Sequence, residues 1–135
     1  MARGLDSCPN IDPIWVSNEP ELLGYGPAYP DKALGTDEAD LREGSPVNHV
    51  GDIKAALYVV HGILDRQAHV DNYYRLTEAL DEANTKHQRL LVGGEAHGLY
   101  DLKNRTLLYD ELLEFLEQNI GPGWTSPTGM AEISN

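Results

Sequence analysis

The feature that most constrains this chain is an alternation of two residue patterns. Residues 55–60 (AALYVV) form a short apolar run rich in β-formers, of the kind that suits a strand buried on both faces of a parallel sheet. A loop over residues 62–68 follows. Residues 70–84 then place Tyr73, Leu76, Thr77, Leu80 and Ala83 at three- and four-residue spacing, which predicts an amphipathic helix. Asp71 near its start favours the helix dipole. The pattern then repeats. Residues 87–92 (HQRLLV) read as a second strand, Gly93-Gly94 ends it, and residues 95–103 read as a loop around His97. Residues 106–120 predict a second helix with Leu107, Leu108, Leu112, Phe115, Leu116 and Ile120 on its apolar side, stopped by Gly121-Pro122-Gly123. Strand, helix, strand, helix in that order predicts an α/β protein with a parallel sheet and covering helices. Two strands do not make an independent sheet of that type. Either the first part of the chain supplies more strands, or the rest of the sheet lies outside these residues.

The first part has a different texture. Residues 1–44 hold Pro9, Pro13, Pro20, Pro27 and Pro30, which exclude long helices and central strands. They read as an irregular Pro/Gly-rich segment with short helical turns near 20–24 and 38–43. A structureless stretch of that length normally packs on something else. Residues 122–135 read as a flexible tail. The net charge of -12 leaves no basic patch, which sets nucleic-acid and anionic-membrane binding aside. With Cys8 as its single cysteine the chain forms no internal disulfide. Residues 1–10 contain Arg3 but no apolar stretch, so they do not read as a signal peptide. No run approaches the roughly 20 apolar residues of a membrane helix. The compartment stays open.

Both strands lead into loops that carry chemistry. One is His61-Gly62-Ile63-Leu64-Asp65-Arg66-Gln67-Ala68-His69-Val70, the other Gly93-Gly94-Glu95-Ala96-His97-Gly98-Leu99. Ligands and catalytic groups of doubly wound sheets sit beyond the carboxyl ends of the strands. Adjacent parallel strands would bring the two loop tips together. A carboxylate beside an imidazole holds its tautomer and stabilises the imidazolium, leaving the ring to act as a general base. Asp65 before His97 also obeys the Ser, Asp, His chain order of serine hydrolases built on such sheets.

Ser45-Pro46-Val47-Asn48-His49, Ile53-Lys54, HGILDRQAHV, GGEAHGLYD and NRTLLYDELLEFLEQNIG together resemble the end of a prolyl oligopeptidase-family serine peptidase. That family includes dipeptidyl-peptidases and acylaminoacyl-peptidases. The resemblance implies a partial α/β-hydrolase: residues 45–121 are the C-terminal βαβα portion of the parallel sheet of a peptidase catalytic domain, preceded by the irregular segment. It implies that Asp65 is the triad acid and His97 the triad base, that Gly62 and Gly98 permit tight turns around them, and that no cofactor or metal is needed. The substrate of the complete enzyme would be a peptide, cleaved through an acyl-enzyme.

The sequence departs from the family pattern at the nucleophile. Serines stand at 7, 17, 45, 126 and 134, and none has glycine at both flanking positions of a Gly-x-Ser-x-Gly elbow. No segment matches the family's oxyanion hole or β-propeller. The chain is therefore expected to be a peptidase fragment, inactive alone because covalent catalysis has no attacking atom. The competing class is a non-catalytic remnant that forms a homo-oligomer or complements an N-terminal fragment, because a cut sheet exposes an edge and apolar faces.

Other polar residues read more plainly. His61, ending a strand, is expected to make a structural hydrogen bond. His69 borders the site, while His49 and His87 read as surface residues. His61, Asp65 and His69 would line one face of a helix as zinc ligands, but Gly62 and the preceding strand argue against a helix there. Glu95 reads as a solvated loop acid, or else as an acid greeting a substrate amine. The stripe of the last helix reads as core packing. Asn104-Arg105-Thr106 matches a glycosylation sequon.

Overall fold

The computed structural model describes residues 36–121. The helical turn expected near 20–24, Cys8, four of the five serines and the tail at 122–135 lie outside them. Six elements follow in order: α1 (Glu38–Glu43), a 3-10 helix (Pro46–Asp52), β1 (Leu57–Gly62), α2 (Val70–Glu82), β2 (His87–Val92) and α3 (Leu102–Ile120). The strand, helix, strand, helix order is the expected one. β1 and β2 pair in parallel, with Leu57 opposite His87 and Gly62 opposite Val92. Both strands therefore point their carboxyl ends the same way and finish side by side.

Local chemistry sets where each helix starts. Asp37 caps α1, its carboxylate accepting from the N–H groups of Ala39 (2.9 Å) and Asp40 (3.1 Å). Asp101 does the same for α3, accepting from Lys103 N (2.8 Å) and Asn104 N (3.2 Å). That cap starts α3 at Leu102, four residues before its apolar pattern becomes visible. α2 ends at Glu82, and Asn84 takes a left-handed conformation (φ 52°) just beyond. Asparagine tolerates that region better than most side chains. The first strand runs Leu57–Gly62, two residues later than its apolar pattern suggests, because pairing with β2 rather than hydropathy sets its ends.

Each face of β1 is covered by a different element. On one face Val59 packs with Val50 of the 3-10 helix and with Tyr73 and Leu80 of α2, with Ile53, Leu57, Leu76, Ala79 and Leu91 around them. Thr85 ties the 3-10 helix to the turn before β2 by donating its hydroxyl to Val50 O (3.0 Å). On the other face Tyr58 stacks on Phe115 of α3, ring centroids 5.6 Å apart. Its hydroxyl donates to Glu111 Oε2 (2.6 Å). Burial, followed by the Glu111 carboxylate, pushes the Tyr58 phenol above its ordinary range.

The stripe of α3 is core only in part. Phe115 is buried, and Leu108, Leu112 and Leu116 are half-buried. Leu107 and Ile120 are exposed, as are Leu102, Tyr109 and Leu113 on the same helix. The reason is geometric. A helix of 19 residues is about 28 Å long, while two strands about 5 Å apart form a ribbon too narrow to cover it. His87 also departs from its surface reading: its ring is mostly buried and bonded to Thr85 O at 2.9 Å.

Candidate active site

The loops that leave β1 and β2 are joined backbone to backbone. Ile63 N donates to Val92 O (3.0 Å), and Leu64 N donates to Glu95 O (2.8 Å). Between these bonds the chains approach so closely that a Cβ on Gly62 would overlap the carbonyl oxygens of Ala96 and Glu95. Gly62 is thus fixed by close contact between loops and not by turn conformation, since its φ is not positive. At Gly98 the demand is milder, since a Cβ would meet the exposed Tyr100 ring of the same loop at 3.2 Å.

This junction delivers Asp65 to His97. His97 Nδ1 lies 2.8 Å from Asp65 Oδ2. The other carboxylate oxygen, Oδ1, accepts from Gln67 N (2.8 Å) and Ala68 N (2.9 Å). Asp65 is 5% exposed. Burial works to raise its pKa, but the Ala68 N–H, the His97 ring and the Gln67 N–H together hold it below its ordinary value. An ionised carboxylate only accepts, so the shared proton sits on His97 Nδ1. That fixes the ring's tautomer and leaves Nε2 as the nitrogen able to take a proton. The His97 side chain is 33% exposed, open enough for a reacting group to approach.

His61 lies in β1 beneath this pair. It is 3% exposed, its ring centroid 5.9 Å from that of Tyr73. Burial lowers its pKa, opposed by the nearby Asp65 charge and by a hydrogen bond to the Ala68 backbone. Among the described residues its Nε2 has no partner. His69 caps α2, its Nδ1 3.4 Å from Asp71 N and 3.1 Å from Asp71 Oδ2. His61, Asp65 and His69 sit on a strand, a turn and a helix cap, and no cluster of three metal-ligating side chains occurs among the described residues.

Glu95 is neither a solvated acid nor a group facing a substrate. It is 3% exposed, and its carboxylate accepts from Tyr100 N (2.8 Å), Asp101 N (2.9 Å) and Asn104 Nδ2 (2.8 Å). The Tyr100 N–H and the Asn104 amide lead in holding its pKa below the ordinary carboxylate value. Asn104, the sequon residue, is thereby committed to Glu95. Ser45 is fully buried and donates its hydroxyl to Leu41 O (2.6 Å), so it is a structural residue of the α1 turn.

A parallel strand pair with helices on both faces and a carboxylate–imidazole contact beyond the strand ends falls in the α/β-hydrolase class. Solved structures sharing this fold include Porphyromonas gingivalis dipeptidyl peptidase 4, with 24% identity and a TM-score of 0.61 over 70% of this chain and 14% of that one. A puromycin-hydrolysing peptidase of Mycobacterium tuberculosis is 20% identical, with a TM-score of 0.65 over 84% of this chain and 18% of that one. The acylaminoacyl peptidase of Pyrococcus horikoshii is 20% identical, with a TM-score of 0.59 over 73% of this chain and 17% of that one. No curated protein matches the chain. The model of the prolyl oligopeptidase family matches residues 4–123, and the chain belongs to that family. It spans less than a fifth of the length of these solved structures.

Proposed function

We propose that this chain supplies the acid and base of a serine-peptidase triad, with the nucleophile carried outside its 135 residues. In this reading Asp65 orients His97 and stabilises its imidazolium. His97 Nε2 takes the proton of an attacking serine and returns it to the leaving amine, so that a peptide bond is hydrolysed through an acyl-enzyme. The observation that carries the reading is the 2.8 Å contact between Asp65 Oδ2 and His97 Nδ1, with the remaining carboxylate oxygen held by backbone N–H groups. Family membership supports it.

The chain by itself is then inactive. Incubated with fluorogenic aminoacyl-proline and acyl-aminoacyl substrates, it should give no turnover above buffer. Turnover abolished by a serine-directed phosphonate would overturn the proposal, because it would require a nucleophile within these residues.

The exposed α3 stripe of Leu102, Tyr109, Leu113 and Ile120 favours a second reading. Here the chain acts by assembly, with another copy of itself or with a serine-bearing portion of a catalytic domain. A helix apolar on both its inner and outer sides is normally buried on both.

A further inference from the structure

We propose that Glu95 is the positioning residue for the Asp65–His97 pair, gripping the His97 loop with its carboxylate and the Asp65 loop with its main chain. The inference rests on reading that pair as the acid and base of a hydrolase site.

Only Ala96 separates Glu95 from His97. On the far side of His97, the chain at Tyr100 and Asp101 turns its N–H groups onto the Glu95 carboxylate, and Asn104 adds its side-chain amide. The loop bearing His97 is thus closed on itself by one side chain. Glu95 O meanwhile accepts from Leu64 N at 2.8 Å, one residue before Asp65. Both members of the pair are therefore hung from the same residue, on opposite sides of it.

Two observations separate this role from ordinary helix capping. α3 already has its cap in Asp101, whose carboxylate satisfies Lys103 N and Asn104 N. The backbone donors to Glu95 come from Tyr100 and Asp101, both ahead of the helix, so they fix the loop and not the first turn. The exposure of His97 adds weight. A side chain one-third open to solvent is not enclosed on every side, so the course of the backbone beneath it helps to set its position. Glu95 fixes that backbone with three donors at 2.8–2.9 Å.

The test is nuclear magnetic resonance on the full chain labelled with 15N-histidine. The wild type should show a His97 Nδ1 proton shielded from exchange and ring nitrogen shifts of the Nδ1–H tautomer. Asp65→Asn serves as the reference for its loss. In Glu95→Gln one carboxylate oxygen becomes an NH2 facing N–H donors. Exchange of the His97 proton should then quicken on the order of tenfold as the loop loosens. Asn119→Ala removes the bonds to Phe115 O (2.7 Å) and from Lys86 Nζ (2.8 Å) at the far end of α3 and should leave the His97 signals unmoved whatever it does to Tm.

Wild-type shifts and exchange in Glu95→Gln would overturn the proposal, even with a lowered Tm. A wild type with no hydrogen-bonded His97 proton would overturn the acid–base reading and the proposal with it. If Glu95→Gln does not fold, Asn104→Ala removes one donor and leaves the two backbone donors. It should quicken exchange on the order of threefold, and no change there counts equally against Glu95.

Discussion

Asp65 and Glu95 in the two loops and His61 near the end of β1 are buried ionisable side chains, and each has its pKa lowered by its surroundings. Asp65 and Glu95 have lowered pKa values, so the stability they contribute is present above the ordinary carboxylate range and is lost as pH falls through their folded values. His61 is also lowered, from an ordinary value of 6.5, because its ring is buried. The folded chain then binds fewer protons at His61 than the unfolded chain does. Its contribution is complete above pH 6.5 and is lost as acid protonates the buried ring. All three shifts act in the same direction at different pH. Urea unfolding at about pH 7.5, 5.5 and 3.5 should show stability falling at each step. His61→Gln should flatten the upper step and leave the lower one. An equal loss of stability between the two higher values in wild type and His61→Gln would contradict this contribution of His61. Asp65 and His97 were legible from chain order and from their place after two strands. Glu95 was not, because an acid in a glycine-rich loop looks solvated. Its donors are backbone N–H groups that carry no residue signature and converge only when the loop closes.

At the scale of elements, the contact that joins the two loops is more informative than either loop alone. Gly62→Ala places a methyl group against the carbonyl oxygens of Ala96 and Glu95 on the β2 loop, the second of which is anchored by Leu64 N. The cost should be about 1–3 kcal/mol, with loss of the Asp65–His97 bond. Gly93→Ala is the matched comparison. Nothing lies within 4 Å of its added Cβ and its φ is not positive, so it should be neutral or stabilise by about 0.5 kcal/mol. Thermal melts of the two variants measure the difference, and equal Tm values would show that the loops are not in register as described. Hydrophobic period placed β2 at its observed residues and found both long helices. It missed the first turn of α3, because Leu102-Lys103-Asn104-Arg105 has no apolar period and the start is set by the Asp101 cap. The family resemblance gave Gly62 as a turn residue, because sequence shows a glycine and not the neighbour that demands it.

Among the described residues both sides of the sheet are covered, and it is the outer face of α3 that stays open. α2 and the 3-10 helix close one side of the sheet around Val59, Tyr73 and Leu80. α3 covers the other side with Phe115 while turning Tyr109 and Leu113 outward at 60% and 65% exposure. If that stripe is an assembly surface, sedimentation should show mass rising with concentration. Because the chain carries a net charge of -12, salt should strengthen the association by screening repulsion between acidic copies, opposite to an interface built on ion pairs. Leu113→Lys should return the chain to monomer. A monomer at every concentration and ionic strength would remove the self-assembly form of this reading. The narrowness of the sheet was visible in the count of strands, while the outward face of α3 was not, since both of its faces share one apolar pattern. The fusion of the two loops at Gly62 has a consequence for any such assembly. An acid and a base mounted on independent loops would each have to find the serine. Here they travel as one prefabricated part. On the proposed reading a complementing chain would have to solve only the placement of one body against another, with the Asp65–His97 pair already aligned. Activity restored by such a partner would then depend on docking affinity, with no conformational search inside the delivered half.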